Sequence, residues 1–282
     1  MNIACLQFDP KLGDPLANRS RADALLSALE QGDVDLLVLP EMAFSGYCFK
    51  NRDEIAPFAE SAQHGITAAW CRATARRLQC FVACGFPERG EIDFLYNSMI
   101  LVDPTGATVH VHRKHLLYVT DESWATEGDG FACLEVPGLG RCSFAICMDL
   151  NPKQFKAPFE RYEFASSLFD PPLKYLEAYH SQSHRLTANL AIVCNNWLRS
   201  EADKDLSDEQ RTTQLLNYWA VRMKPVLGMP IVMAIANRVG VERGIRFAGA
   251  SCVIDLKHRQ ILANLNAVEE NVLLVHDVPE YR

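Results

Sequence analysis

Arg141-Cys-Ser-Phe-Ala-Ile-Cys147-Met-Asp149-Leu-Asn151-Pro152 is an apolar run that stops at a thiol and continues in polar residues. A short continuous apolar run of this kind reads as a strand covered on both faces. In layered α/β folds ligands meet the chain just past the carboxyl ends of strands, so Cys147 stands where a strand can deliver a nucleophile. The plainer reading is a core thiol. Free cysteine is among the most buried residue types, and Cys5, Cys71, Cys80, Cys84 and Cys252 also occupy apolar contexts.

The same pattern recurs outward from this stretch. Residues 3–8 read as a first strand ending at Asp9-Pro10, residues 35–40 as a second followed at once by Glu41, and residues 80–86 as a third. Residues 96–102 and 108–111 flank Asp103-Pro-Thr-Gly106, a turn signature, so they form a hairpin whose second strand runs into Arg113-Lys114-His115. Residues 134–136 and 142–146 lead to Cys147, residues 190–194 to Asn195-Asn196-Trp197, and residues 231–236 to Asn237-Arg238. Strands at 251–255, 260–263 and 272–275 complete the chain.

Helices alternate with these strands. Ala22, Leu25, Leu26 and Leu29 make one apolar stripe that predicts a helix stopped by Gly32. Residues 66–78 predict a second, ending in Arg76 and Arg77; residues 171–188, with Leu173, Leu176 and Tyr179 in register, a third. A fourth starts at Ser207-Asp208 and continues through Leu215, Tyr218, Trp219 and Arg222 to Pro225. Periodicity disappears over residues 116–131, and a loop this long in a compact domain is usually functional. Helices outside and strands inside predict an α/β fold, a four-layer α-β-β-α sandwich. Neither a linker nor a composition shift divides the chain, so residues 1–282 read as one domain.

Composition narrows the function. Hydrophobic residues make up 49% and charged residues 22%, which is globular, and 28 basic against 35 acidic residues give a formal charge of -7 with no basic block to track phosphates. Nucleic acid is not an expected partner. No apolar run approaches a membrane span, so no membrane association is expected either. The opening Met1-Asn-Ile-Ala-Cys-Leu-Gln-Phe8 has no charged n-region and no long apolar core, so reduced thiols and a cytoplasmic location are expected for the ten cysteines. No Cys-x-x-Cys occurs and the histidines make no ligand-spaced cluster with the cysteines, which argues against a structural metal.

A thiol needs a group that takes its proton, because the thiolate is the nucleophile. No histidine follows a buried strand in a way that singles it out, whereas Glu41 does, and a carboxylate whose pKa is raised in a pocket can act as base and then acid. Lys114, also just past a strand, can supply positive charge to an oxyanion. Taken singly, Glu41 could be a solvated strand end and Lys114 part of an exposed basic cluster.

Together, Glu41, Lys114 and Cys147 in that order at strand ends resemble the nitrilase superfamily of carbon-nitrogen hydrolases. The resemblance spans nearly the whole chain and includes Leu39-Pro40-Glu41, Arg113-Lys114-His115-Leu116, Asn237-Arg-Val-Gly240-Val-Glu242 and Phe247-Ala-Gly249-Ala-Ser251. It implies an αββα sandwich, a Glu-Lys-Cys triad, a cysteine thioester intermediate and no metal or organic cofactor. The family's additional glutamate is expected at Glu122, with Asp121 adjacent.

Around the nucleophile the chain departs from the common pattern, which continues past Cys-x-Asp toward Arg-Phe-Pro. Cys147-Met-Asp149-Leu-Asn151-Pro152, residues 116–124 and Glu163-Phe164-Ala165 look instead like the branch that deamidates N-terminal asparagine or glutamine of proteins and peptides. The resemblance implies that Glu41 moves the proton while Lys114 and the Met148 N–H hold the oxyanion. Asp149 and Glu122 are candidates for binding the substrate α-amine, Asp149 having a turn-bracing role as its plainer reading. Asn151 is a candidate for the peptide backbone, Trp124 for a pocket wall or a packing residue, and Asn196 and Trp197 complete the expected substrate-binding set. A small-molecule ω-amidase or carbamoyl amidohydrolase using the same triad is the alternative, and a non-catalytic scaffold a further one. Oligomeric state is not legible.

Overall fold

Side chains along the central strands alternate between two apolar layers, and this alternation builds the architecture. In the computed structural model, which describes residues 1–170, 185–186 and 188–281, Leu36 and Val38 face a core between two sheets while Leu37 and Leu39 face a second core on the other side. Phe144 and Ile146 point into the same intersheet core, and Ala145 into a third. A strand has a side-chain period of two, so a continuous apolar run feeds two cores at once.

Sixteen strands are formed by the described residues. The first sheet contains β1 (Ile3–Gln7), β2 (Leu36–Val38), β3 (Phe81–Arg89), β4 (Leu95–Val102) and β5 (Thr108–Arg113). The second begins with β6 (Cys133–Val136) and β7 (Gly140–Ile146); a short antiparallel pair, β8 (Phe169–Asp170) and β9 (Arg185–Leu186), stands apart from both. β10 (Leu190–Cys194) and β11 (Val232–Ala236) rejoin the second sheet, and β12 (Val241–Glu242) and β13 (Ile245–Arg246) make a small hairpin. β14 (Cys252–Asp255) and β15 (Gln260–Asn264) finish the second sheet, and β16 (Asn271–Val275) returns to the first.

The two sheets share one plan. In the order β16-β1-β2-β3-β4-β5, three parallel strands have one antiparallel neighbour beside β1 and two beside β3. In the order β6-β7-β10-β11-β14-β15, three parallel strands have one antiparallel neighbour beside β7 and two beside β11. Helices Pro15–Leu25 and Ile66–Leu78 cover the first sheet, and Asp208–Arg222 covers the second, giving the expected α-β-β-α sandwich. Truncating a side chain in the shared core, such as Phe144, costs about 3–5 kcal/mol.

Local signals explain the helices and one departure. Ser207 and Gln210 form a reciprocal capping box at the start of Asp208–Arg222, while Leu216, Trp219 and Met223 bury its apolar stripe. Gln79, in the left-handed conformation, ends Ile66–Leu78. The first helix is capped by Asp14, carries Pro15 at its start and ends at Leu25, short of Leu29. There the Ser27 hydroxyl donates to the Ala24 carbonyl at 2.8 Å, competing with helix continuation. Of the helix expected over 171–188, residues 171–184 and 187 lie outside the described residues, and Arg185–Leu186 are extended. Among the described residues no helix is long and apolar enough to cross a membrane.

Candidate active site

Strand ends converge as the sequence predicts. Glu41 follows β2, Lys114 follows β5 and Cys147 follows β7, and Glu41 and Lys114 are fully buried with Cys147 nearly so. Lys114 Nζ donates to Glu41 Oε1 at 2.7 Å and to Asp121 Oδ2 at 2.6 Å. Asn97 on β4 links the two acids, donating from Nδ2 to Glu41 Oε1 at 2.6 Å and to Asp121 Oδ1 at 3.2 Å. An ammonium has three donors, so the third N–H of Lys114 remains for another acceptor.

The backbone is shaped to present the thiol and the carboxylate. Cys147 has φ +43°, a left-handed conformation rare for a residue with a side chain, at the junction between β7 and the helical turn Cys147–Leu150. Asn195 Oδ1 accepts the Cys147 N–H at 3.0 Å, and the Asn195 carbonyl accepts the Glu41 N–H at 3.3 Å, so one residue fixes both. A Cβ on Gly85 would stand 2.4 Å from the Glu41 Cα, and only glycine lets β3 run this close beneath the base.

Electrostatics separate the roles. Burial raises the Glu41 carboxyl above the ordinary range; Lys114 acts against that shift and Asp121 adds to it. Burial pushes the Cys147 thiol well up, as does the Glu41 charge, while Lys114 and the Asn196 backbone N–H pull it down. Burial works against the Lys114 cation, yet Asp121 and Glu41 together raise its pKa and keep it charged. Burial thus favours the protonated thiol at Cys147, while the two acids hold Lys114 as the cation. Glu41 Oε2 has no hydrogen-bond partner among the described residues.

A cavity of about 660 Å³ opens on Cys147, walled there by Tyr47, Tyr118, Trp197 and Phe247. Met148, Asn151 and Asn196 also line it. Tyr218 donates to Asn151 Oδ1 at 2.7 Å, which fixes that side chain. Both polar side-chain atoms of the buried Asn196 lack partners among the described residues.

Three expectations need correction. Glu122 is exposed and accepts from Gln154 at 3.1 Å; the acid that reaches Lys114 is Asp121, because the helical turn Asp121–Ser123 points one side chain inward and the next outward. Asp149 does not line the cavity. Fully buried, it accepts the N–H groups of Ile146 (2.9 Å), His115 (3.1 Å) and Leu116 (2.7 Å), which leaves no place for a substrate amine. Trp124 packs in a cluster with Met42, Cys48, Phe49 and Phe247 and is not a cavity wall.

Asn97, Asn195 and Tyr47 carry parts of this geometry without having been singled out. Asn97 left a trace, a polar residue inside an apolar strand, where burial demands a partner.

The pattern that defines the carbon-nitrogen hydrolase family matches residues 2–156, a span that takes in Glu41, Lys114 and Cys147. Over 295 residues, 99% of each chain, the sequence is 37% identical to the protein N-terminal amidase of Schizosaccharomyces pombe. Over 152 residues, 53% of this chain and 56% of the other, it is 32% identical to the 2-oxoglutaramate amidase of Bacillus subtilis. The structure superposes on that of an N-terminal amidase with a Gln-Val peptide with a TM-score of 0.78, covering 97% of this chain and 96% of that one at 18% identity. At that identity the likeness is one of fold.

Proposed function

The chain belongs to the carbon-nitrogen hydrolase family, and on that premise we propose that it is an amidase of N-terminal asparagine and glutamine, converting them on proteins and peptides to aspartate and glutamate with release of ammonia. The observation that carries this reading is identity to a protein N-terminal amidase sustained over 99% of both chains. The cavity agrees with it, since about 660 Å³ is the volume of a site for a drug-sized ligand and more than one carboxamide needs.

The chemistry follows from the geometry. Glu41, through the unpartnered Oε2, takes the Cys147 proton as sulfur bonds to the side-chain carboxamide carbon, and the carbonyl π electrons move to oxygen. The third N–H of Lys114 and the Met148 backbone N–H, in the first turn after the nucleophile, hold that oxyanion. When the tetrahedral adduct collapses the carbon–nitrogen bond breaks, and Glu41 returns its proton to nitrogen, so ammonia leaves and a thioester remains. Water then gives a proton to Glu41 as its oxygen bonds to the same carbon. The carbon–sulfur bond breaks, and Cys147 recovers its proton from Glu41.

Ammonia release from short peptides beginning with Asn, Gln or Ala, and from free ω-amides, tests the reading. Turnover of the Asn and Gln peptides alone, lost in Cys147→Ala, is expected. Turnover of the free ω-amides with none of the peptides would replace this reading with that of a small-molecule amidase.

A further inference from the structure

Glu242 lies outside the triad, yet its carboxylate is the point where two walls of the cavity meet. Its Oε2 accepts the N–H of Tyr47 at 2.9 Å and of Cys48 at 2.8 Å, within the loop that starts directly after Glu41. Its Oε1 pairs with the buried guanidinium of Arg238. Arg238 also bonds the Pro10 carbonyl at 2.7 Å and Asp9 at 3.2 Å, and its guanidinium stacks 3.9 Å from the centre of the Phe247 ring. Phe247 meets Tyr47 edge to face at 6.3 Å, both rings line the cavity, and the Tyr47 ring centre is 6.0 Å from Lys114 Nζ.

We propose that Glu242, braced by Arg238, is a positioning residue that sets the width of the substrate cavity by holding Tyr47 through its backbone and Phe247 through the stacked guanidinium. The inference rests on the reading of this cavity as the site for an N-terminal residue. A buried ion pair is weak evidence for stability, since the desolvation of two charges offsets much of their attraction. This pair has a second consequence, the fixed spacing of two aromatic walls. Close packing supports the assignment from another direction: a Cβ on Gly46, at φ +76°, would lie 2.8 Å from Glu242 Oε1 and 2.7 Å from the Leu12 Cα. Tyr47 can therefore approach Glu242 only behind a glycine.

The test is steady-state kinetics with an Asn-Glu peptide, alongside the rate at which iodoacetamide alkylates Cys147, followed by mass spectrometry of its peptide. Iodoacetamide is too small to need the aromatic walls, so it reports the triad alone. In Glu242→Leu, KM should rise at least about tenfold, with kcat and alkylation within about threefold of wild type. Glu242→Gln, which retains an acceptor for the two N–H groups, should recover most of the KM. Unchanged KM in Glu242→Leu, or kcat and alkylation falling together with it, overturns the proposal. Should Glu242→Leu not fold, Gly46→Ala and Arg238→Lys, which keeps the charge but loses the planar stack on Phe247, decide: a KM at least about threefold above wild type at near-normal kcat in either supports the brace, and unchanged KM in both refutes it. A wild-type protein inert toward the peptide but normally alkylated would fault the substrate reading instead.

Discussion

Asp149 accepts the Leu116 backbone N–H at 2.7 Å, so the turn carrying Cys147 is tied to the segment that follows Lys114. The same carboxylate takes the Ile146 N–H at 2.9 Å, immediately before the nucleophile, and lies 3.5 Å from His112 Nε2. One buried side chain therefore ties the backbone just before the nucleophile to the backbone just after Lys114.

Removing that carboxylate leaves the buried N–H groups of Ile146 and Leu116, and the half-buried one of His115, without an acceptor. Asp149→Ala should destabilise the protein by about 3 kcal/mol or more and lower kcat at least about a hundredfold, because even about 1 Å of misplacement is costly in an active site. Thermal denaturation and peptide turnover measured on the same preparation check both. Full activity in Asp149→Ala would mean that the turn holds its shape unaided.

A second expectation distinguishes adjacent acids. Asp121 bonds Lys114 and Asn97 from a buried position, whereas Glu122, at the surface, accepts from Gln154. Asp121→Asn should reduce kcat by at least about a hundredfold, through a misplaced and less strongly held Lys114, and Glu122→Gln should stay within about twofold. The reverse ranking in ammonia-release assays would restore Glu122 to the site.

These two acids also mark how far the sequence could be read. Strands that stop at Glu41, Lys114 and Cys147 announce the triad, since apolar runs bounded by polar residues are a one-dimensional signal and the sandwich brings such ends together. The choice between Asp121 and Glu122 depends on the rotation of a single helical turn inside a loop without periodicity, which spacing does not encode. Trp124 and Asp149 were ambiguous for the same reason: a tryptophan or an aspartate beside an active site can face the cavity or the scaffold behind it. The first helix ends at Leu25 although the apolar stripe continues to Leu29, and the Ser27 hydroxyl bonds the Ala24 carbonyl just there.

Activity against pH should show the base. Glu41 acts as its carboxylate, and burial raises its pKa, so turnover should fall as pH drops through a midpoint above the unperturbed glutamate value of about 4.3. Cys147 is held as a thiol, with burial and the Glu41 charge raising its pKa, so the acid limb belongs to the carboxylate. The kcat/KM profile of the wild type, with Glu41→Gln as the inactive control, measures it. A rate that rises only through the alkaline range would assign the limb to an unassisted thiol.

The last expectation concerns the free amino terminus. An α-ammonium entering the cavity gives up part of its hydration, and a buried cation left unpaired is costly, so oxygen acceptors must meet it. Asp149 cannot, because it is occupied by backbone N–H groups away from the cavity, and Glu122 lies at the surface. Among the residues expected from the sequence, Asn151 and Asn196 line the cavity, and the Asn196 side-chain oxygen has no partner among the described residues. Asp203, which also lines the cavity, offers a carboxylate to the same cation. Acetylating the α-amine of an Asn-started peptide replaces a compact ammonium with a bulky neutral amide, and kcat/KM should fall by at least about a hundredfold, equivalent to about 2.7 kcal/mol. Asn196→Leu should lower kcat/KM for the free peptide and narrow its advantage over the acetylated one. Equal hydrolysis of the two peptides by the wild type would sink the N-terminal assignment and leave an amidase indifferent to what precedes the asparagine.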